Sequence, residues 1–140
     1  MSREGRAIVA GRAEGRALVL GEALSFWGGV DVETGRIIDA SHAARGACVT
    51  GRILVMPSGR GSSSSASVLA ESIRRQTGPL AILLARPDPI LTVGAMVARA
   101  LYGRDCPVIL CDIDGIGEGD LIEIDAPADS ASCAVTIGAA

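Results

Sequence analysis

The hydrophobic positions of this chain change period partway along. In the first half, short apolar runs alternate with glycine-rich turns. Ala7 to Ala10 and Ala17 to Leu20 predict strands, and Glu22 to Phe26 predicts a third extended stretch. Trp27 to Asp31 reads as a loop, Glu33-Thr34-Gly35 as a turn, and Arg36 to Asp39 as a short strand. Gly51 to Met56 carries an Ile-Leu-Val-Met run, a strong strand signal that Pro57 ends.

In the second half the period lengthens. From Ser65 to Gln76 the apolar residues fall at 66, 69, 70 and 73, which predicts an amphipathic helix stopped by Gly78-Pro79. Leu80 to Ala85 reads as a buried strand. A second helix is predicted from Pro89 or Ile90 through Leu101, with Leu91, Ala95, Val97, Ala98 and Leu101 facing inward and Gly103 ending it. Pro107 to Cys111 is another buried strand. Residues 115–120 form a turn, Leu121 to Asp125 alternates, and Ala134 to Ile137 is the last strand. Strands joined by helices predict parallel pairing through crossover connections. With no internal repeat and no linker, residues 1–140 are predicted to form one compact α/β domain. Its first part is β-rich and its second part β-α-β-α-β.

Composition narrows the picture. Hydrophobic residues make up 49% of the 140, yet there is one Phe, one Tyr and one Trp, so the core falls to Val, Ile, Leu and Ala. The net charge of −3 argues against a nucleic-acid partner, which calls for a basic face. All 13 basic residues are Arg, each a planar fork suited to carboxylate or phosphate. No apolar run approaches the roughly 20 residues of a membrane span, and no signal peptide is recognisable, so a cytoplasmic protein is expected. Cys48, Cys106, Cys111 and Cys133 fit no two-by-two zinc spacing and read as small buried hydrophobes. Asp112, Asp114 and Asp120 lack the spacing of a calcium loop.

One segment carries candidate chemistry. Met56-Pro57-Ser58-Gly59-Arg60-Gly61-Ser62-Ser63-Ser64-Ser65 leaves a buried strand and enters a helix. Gly59 and Gly61 permit a sharp turn and a close backbone approach to a ligand. The serines can cap the helix while free amides point outward, where the helix end favours an anion. Arg60 can grip a carboxylate or phosphate. The stretch is neither a P-loop nor a nucleophile elbow. Two readings stay open on these residues alone: an anion-binding loop, or a solvated helix start.

Four ordered blocks then carry a resemblance. Leu24-Ser25-Phe26-Trp27-Gly28-Gly29-Val30-Asp31, Thr34-Gly35-Arg36-Ile37-Ile38-Asp39, Gly51 through Ser65, and Pro87-Asp88-Pro89-Ile90-Leu91 resemble the small subunit of aconitase X, over roughly residues 15–112. The resemblance implies a swivelling β/β/α domain that pairs with a large subunit. That subunit would carry the iron–sulfur cluster and most substrate contacts, and this chain would hold no metal. It implies a dehydration: of cis-3-hydroxy-L-proline in bacterial members, of mevalonate 5-phosphate in archaeal ones. In aconitases the first serine of a Gly-Ser-Ser turn is the base, which here is Ser62. Gly61, Ser63 and Ser64 would bind substrate beside it. Where aconitase has an arginine two residues on, this chain has Ser64, so Arg60 or the large subunit is expected to supply the cation. The arginine bias favours a bacterial member and hence cis-3-hydroxy-L-proline.

Two other functions fit parts of the sequence. Ser41-His42-Ala43-Ala44-Arg45 resembles the phosphohistidine segment of swivelling carrier domains, a reading that needs His42 exposed; otherwise His42 is expected at the surface or an interface. A catalytically idle assembly subunit is the other. Trp27, the sole Trp, is expected either as a core anchor or at the large-subunit interface. Asp31 and Asp88 are expected to form turns.

Overall fold

A computed structural model of the chain describes all 140 residues. Its elements follow in the order β1 (Ser2–Val9), β2 (Gly11–Val19), β3 (Arg52–Met56), α1 (Ser65–Arg74), β4 (Ala81–Leu84), α2 (Pro89–Tyr102), β5 (Val108–Leu110), β6 (Leu121–Ala126) and β7 (Ser132–Gly138). The strands close into a barrel, β1-β5-β4-β3-β2-β6-β7, with β7 returning to β1. Neighbours from β2 through β5 pair in parallel; α1 and α2 make the crossovers from β3 to β4 and from β4 to β5, and the irregular segment 20–51 makes the one from β2 to β3. The remaining pairs are antiparallel.

The apolar runs of β3 and β4 are buried on both faces. Ile53, Val55, Ala81 and Leu83 fill the barrel with Ile109, Ile122, Ile124 and Val135. Leu54, Met56, Ile82 and Leu84 point the other way and pack with Leu69 and Ile73 of α1 and Leu91, Ala95 and Ala98 of α2. The two barrel walls and the helix pair therefore stack as β/β/α, the predicted architecture. The helices approach closely at Gly94, where any side chain would press on the Ala66 carbonyl. Asp88 caps α2 by accepting from the amides of Ile90 and Leu91, at 3.0 and 3.1 Å, a contact worth about 1 kcal/mol. No helix is long and apolar enough to cross a membrane.

Several expectations are corrected. β1 and β2 are longer than Ala7–Ala10 and Ala17–Leu20, because their inward positions early on are Gly and Ala, which give no hydrophobic peak. Glu22–Phe26 makes one bridge, Leu24 to Gly59, and Arg36–Asp39 only the bridges of Arg36 to Cys48 and Ile37 to Val30. Both segments owe their apolar residues to packing under the helices, where Leu24, Phe26 and Ile37 are buried. Leu101 was expected inward and is 69% exposed; Val97 is half-buried. The buried stripe of α2 is Leu91, Gly94, Ala95 and Ala98, so Leu91, Ala95 and Ala98 face inward as expected. His42 is not at the surface: it is 4% exposed, with Nδ1 accepting from the Ala44 amide at 3.0 Å and closing a local turn. A phosphate carrier needs that ring exposed.

Candidate active site

The serine loop is a bend between β3 and α1, held from three sides. Arg60 N donates to Leu24 O beside the Leu24–Gly59 bridge. Gly59 lies against Asp88, the cap of α2; a side chain at 59 would collide with its carboxylate. Gly61 has φ +97, and a side chain there would collide with Ser25 Oγ. The close approaches these glycines allow are thus to the protein's own side chains, whereas a ligand was expected.

Of the four serines, Ser65 is buried and structural. Its Oγ accepts from the Trp27 amide at 3.0 Å and lies 3.4 Å from Ser25 Oγ, tying the loop before β3 to the start of α1. Ser64 is the N-cap residue but makes no side-chain capping bond. The hydroxyl that faces the helix start is that of Ser62, whose Oγ accepts from the Ser64 amide at 3.1 Å. The amides of Gly61, Ser62 and Ser63 donate to nothing in the protein. Arg60, Gly61, Ser62 and Ser63 are exposed and Ser64 half-buried. No surface hollow is lined by residues 58–65, so the loop lies on an open face. All five predicted site residues therefore occupy one continuous surface, with free donors directed at solvent and the positive end of α1 beneath them.

Three neighbours of this loop are not evident from sequence. Asp39 pairs with Arg60, Oδ2 to Nη2 at 3.1 Å. Its carboxyl is held below the ordinary value by hydrogen bonds from the Ser41 hydroxyl and then the Ser41 amide, with Arg60 and His42 adding to the effect. Arg86 reaches Ser58 Oγ at 3.4 Å. Ser25 abuts Gly61. Only the Leu24–Asp31 and Thr34–Asp39 blocks hinted at the first and third, by accompanying the serine loop in the resemblance. Trp27 is 59% exposed, which removes the core-anchor alternative. Asp31 forms a turn, accepting from the Glu33 amide and the Thr34 hydroxyl.

The donors of this chain do not fit a metal cluster. No three His, Cys, Asp or Glu side chains converge. Cys106 and Cys133 are buried, Cys48 and Cys111 half-buried, and all four are free. Burial pushes the Cys106 thiol up to about 12 and the Cys111 thiol up to about 11.

A family model described as the aconitase X swivel domain matches residues 2–133. The chain is 48% identical over 103 residues to a cis-3-hydroxy-L-proline dehydratase of Pseudomonas aeruginosa, a match covering 74% of this chain and 18% of that protein. It is 35% identical over 127 residues to the phosphomevalonate dehydratase small subunit of Thermococcus kodakarensis, covering 90% of this chain and 91% of that subunit. A crystal structure of Thermococcus kodakaraensis aconitase X in its holo-form superposes with a TM-score of 0.85 at 34% identity, covering 98% of both chains. The chain thus spans under a fifth of the length of the hydroxyproline dehydratases it matches, 18% and 19%.

Proposed function

The chain belongs to the aconitase X swivel-domain family, and from that membership we propose that it is the small subunit of a two-subunit hydro-lyase, supplying Ser62 as the base of a dehydration. The observation that carries this reading is the Ser62 hydroxyl itself. It is exposed at the start of α1, accepts from the Ser64 amide, and lies among three amides with no protein partner.

A serine hydroxyl is a poor base in water. Its alkoxide becomes accessible where fixed donors and a positive helix end meet it without reorganising. Ser62 as alkoxide takes the proton from the carbon beside the substrate carboxylate. The electron pair of that C–H bond becomes the new C=C bond. The bond from the next carbon to its hydroxyl breaks, the departing hydroxide takes a proton from solvent to leave as water, and Ser62 returns the proton it took to solvent. Arg60 holds the substrate carboxylate, and the donors of Gly61, Ser63 and Ser64 hold the negative charge that grows as the proton leaves. The open face of the loop leaves the other wall of the cleft to the large subunit. The iron–sulfur cluster expected of such an enzyme is assigned to that subunit, since the donors here do not suit one. We place the complex in the cytoplasm, where four free thiols stay reduced.

The substrate in this reading is cis-3-hydroxy-L-proline, supported by the 48% identity to a dehydratase of that name. A second reading, mevalonate 5-phosphate, is favoured by length, because the match covers 91% of an archaeal small subunit. Both compounds carry a carboxylate next to the carbon that loses its proton. The test is to co-express the chain with its large subunit, purify the complex and offer each compound, following loss of substrate by NMR. Turnover of the first supports the first reading and turnover of the second the other. Turnover of neither refutes both.

A further inference from the structure

Arg60 is the only cation within the serine loop, and its side chain is 54% exposed. A guanidinium offers five N–H donors in a rigid fork. Here one nitrogen, Nη2, donates to Asp39 Oδ2; Nε and Nη1 donate to nothing in the protein. The bond to Asp39 therefore tethers one arm of the fork and leaves Nε and Nη1 free.

Asp39 is the firmer half of the pair, with its side chain only 20% exposed. Its Oδ1 takes the Ser41 amide at 2.9 Å and the Ser41 hydroxyl at 2.7 Å. Its carbonyl takes the amide of His42, whose buried ring braces the same turn. Two residues earlier, buried Ile37 anchors the segment in the core under the helices. A braced carboxylate thus holds an exposed arginine within the loop that presents Ser62.

As a staple the pair is superfluous. Exposed ion pairs add little to stability, and the loop is already held by the Ser65–Trp27 bond and by the packing of Gly59 on Asp88. We propose that Asp39 is a positioning residue: it aims the free edge of Arg60 at the substrate carboxylate, so that the pair sets the affinity of the site for its hydroxy acid. This rests on the reading of the serine loop as the active site. It also supplies the cation for a site in which Ser64 stands where aconitase has an arginine.

The test uses the complex with the large subunit and whichever of cis-3-hydroxy-L-proline and mevalonate 5-phosphate the wild type turns over. Asp39→Asn keeps the shape and the Ser41 contacts and removes the charge. KM is expected to rise about tenfold with kcat within about twofold, the signature of a contact made equally in ground and transition states. Asp39→Glu should recover part of the KM. In an Arg60→Ala background, adding Asp39→Asn should change KM by less than about twofold, because Asp39 acts through Arg60. An unchanged KM in Asp39→Asn, a further large rise on top of Arg60→Ala, or a kcat that falls together with thermal stability overturns the role of Asp39. Ser62→Ala separates this from the underlying reading. If it abolishes turnover while Asp39→Asn leaves KM unmoved, Asp39 alone is wrong; if it retains turnover, the serine-loop reading falls and takes Asp39 with it.

Discussion

Ser65→Ala removes one oxygen and tests how the site is built. Ser65 is buried, and its Oγ is the acceptor for the Trp27 amide at 3.0 Å, with Ser25 Oγ at 3.4 Å. Truncation leaves that amide without a partner at a partly buried position. An orphaned buried donor costs about 1–3 kcal/mol. For a domain of this size, that lowers Tm by about 3–9 °C. Trp27 is the only tryptophan, so fluorescence reports on this one loop. Its side chain is already exposed, so the informative quantity is the anisotropy, which should fall as the loop is released. Ser67→Ala, an exposed serine on the same helix, should change neither quantity. A Ser65→Ala protein with wild-type anisotropy and a Tm within about 1 °C would refute the tether, since it implies under about half a kcal/mol for the lost acceptor.

Gly61→Ala places a side chain at φ +97 and against Ser25 Oγ; the backbone strain alone costs about 1–3 kcal/mol, and the displaced loop should lose more than about tenfold in kcat/KM, as misplaced catalytic groups do. Near-normal activity would show that the bend is dispensable. Cys106, fully buried, should resist alkylation in the native protein at pH 8 and react after unfolding. The sign of its pH effect follows from the thiol being raised from 9.0 to about 12 on folding. Below pH 9 both states hold the proton and no slope arises; between 9 and 12 the unfolded chain releases it while the folded chain keeps it, so stability falls as pH rises. Urea denaturation at pH 8 and pH 10 should show a smaller loss for Cys106→Ala than for the wild type.

The second half of the chain was legible because its strands are buried on both faces and its helices on one, which gives strong runs at 53–56 and 81–84 and a 3.6 period between them. β1 and β2 were only half legible. Their outward Arg and Glu alternate with inward Gly and Ala, and at Gly5 anything larger would press on Ile109. The barrel closure between β1 and β7 joins residues more than a hundred positions apart, beyond the reach of local periodicity. The serine loop was visible as a unit because strand, glycines and helix are contiguous. Asp39, 21 positions from Arg60, and Ser25, 40 from Ser65, are brought there only by tertiary packing. Leu101 shows the opposite failure: it lies on the same stripe as Gly94 and Ala98, yet it falls in the last turn of α2 and is 69% exposed.

The direct trial of Ser62 as the base is single-turnover kinetics on the assembled complex, comparing wild type with Ser62→Ala. A positioned base contributes about 10²–10⁴ in rate, so the variant should assemble and bind substrate normally while the chemical step slows at least about a hundredfold. A chemical step within a few-fold of wild type, with assembly intact, would contradict the account.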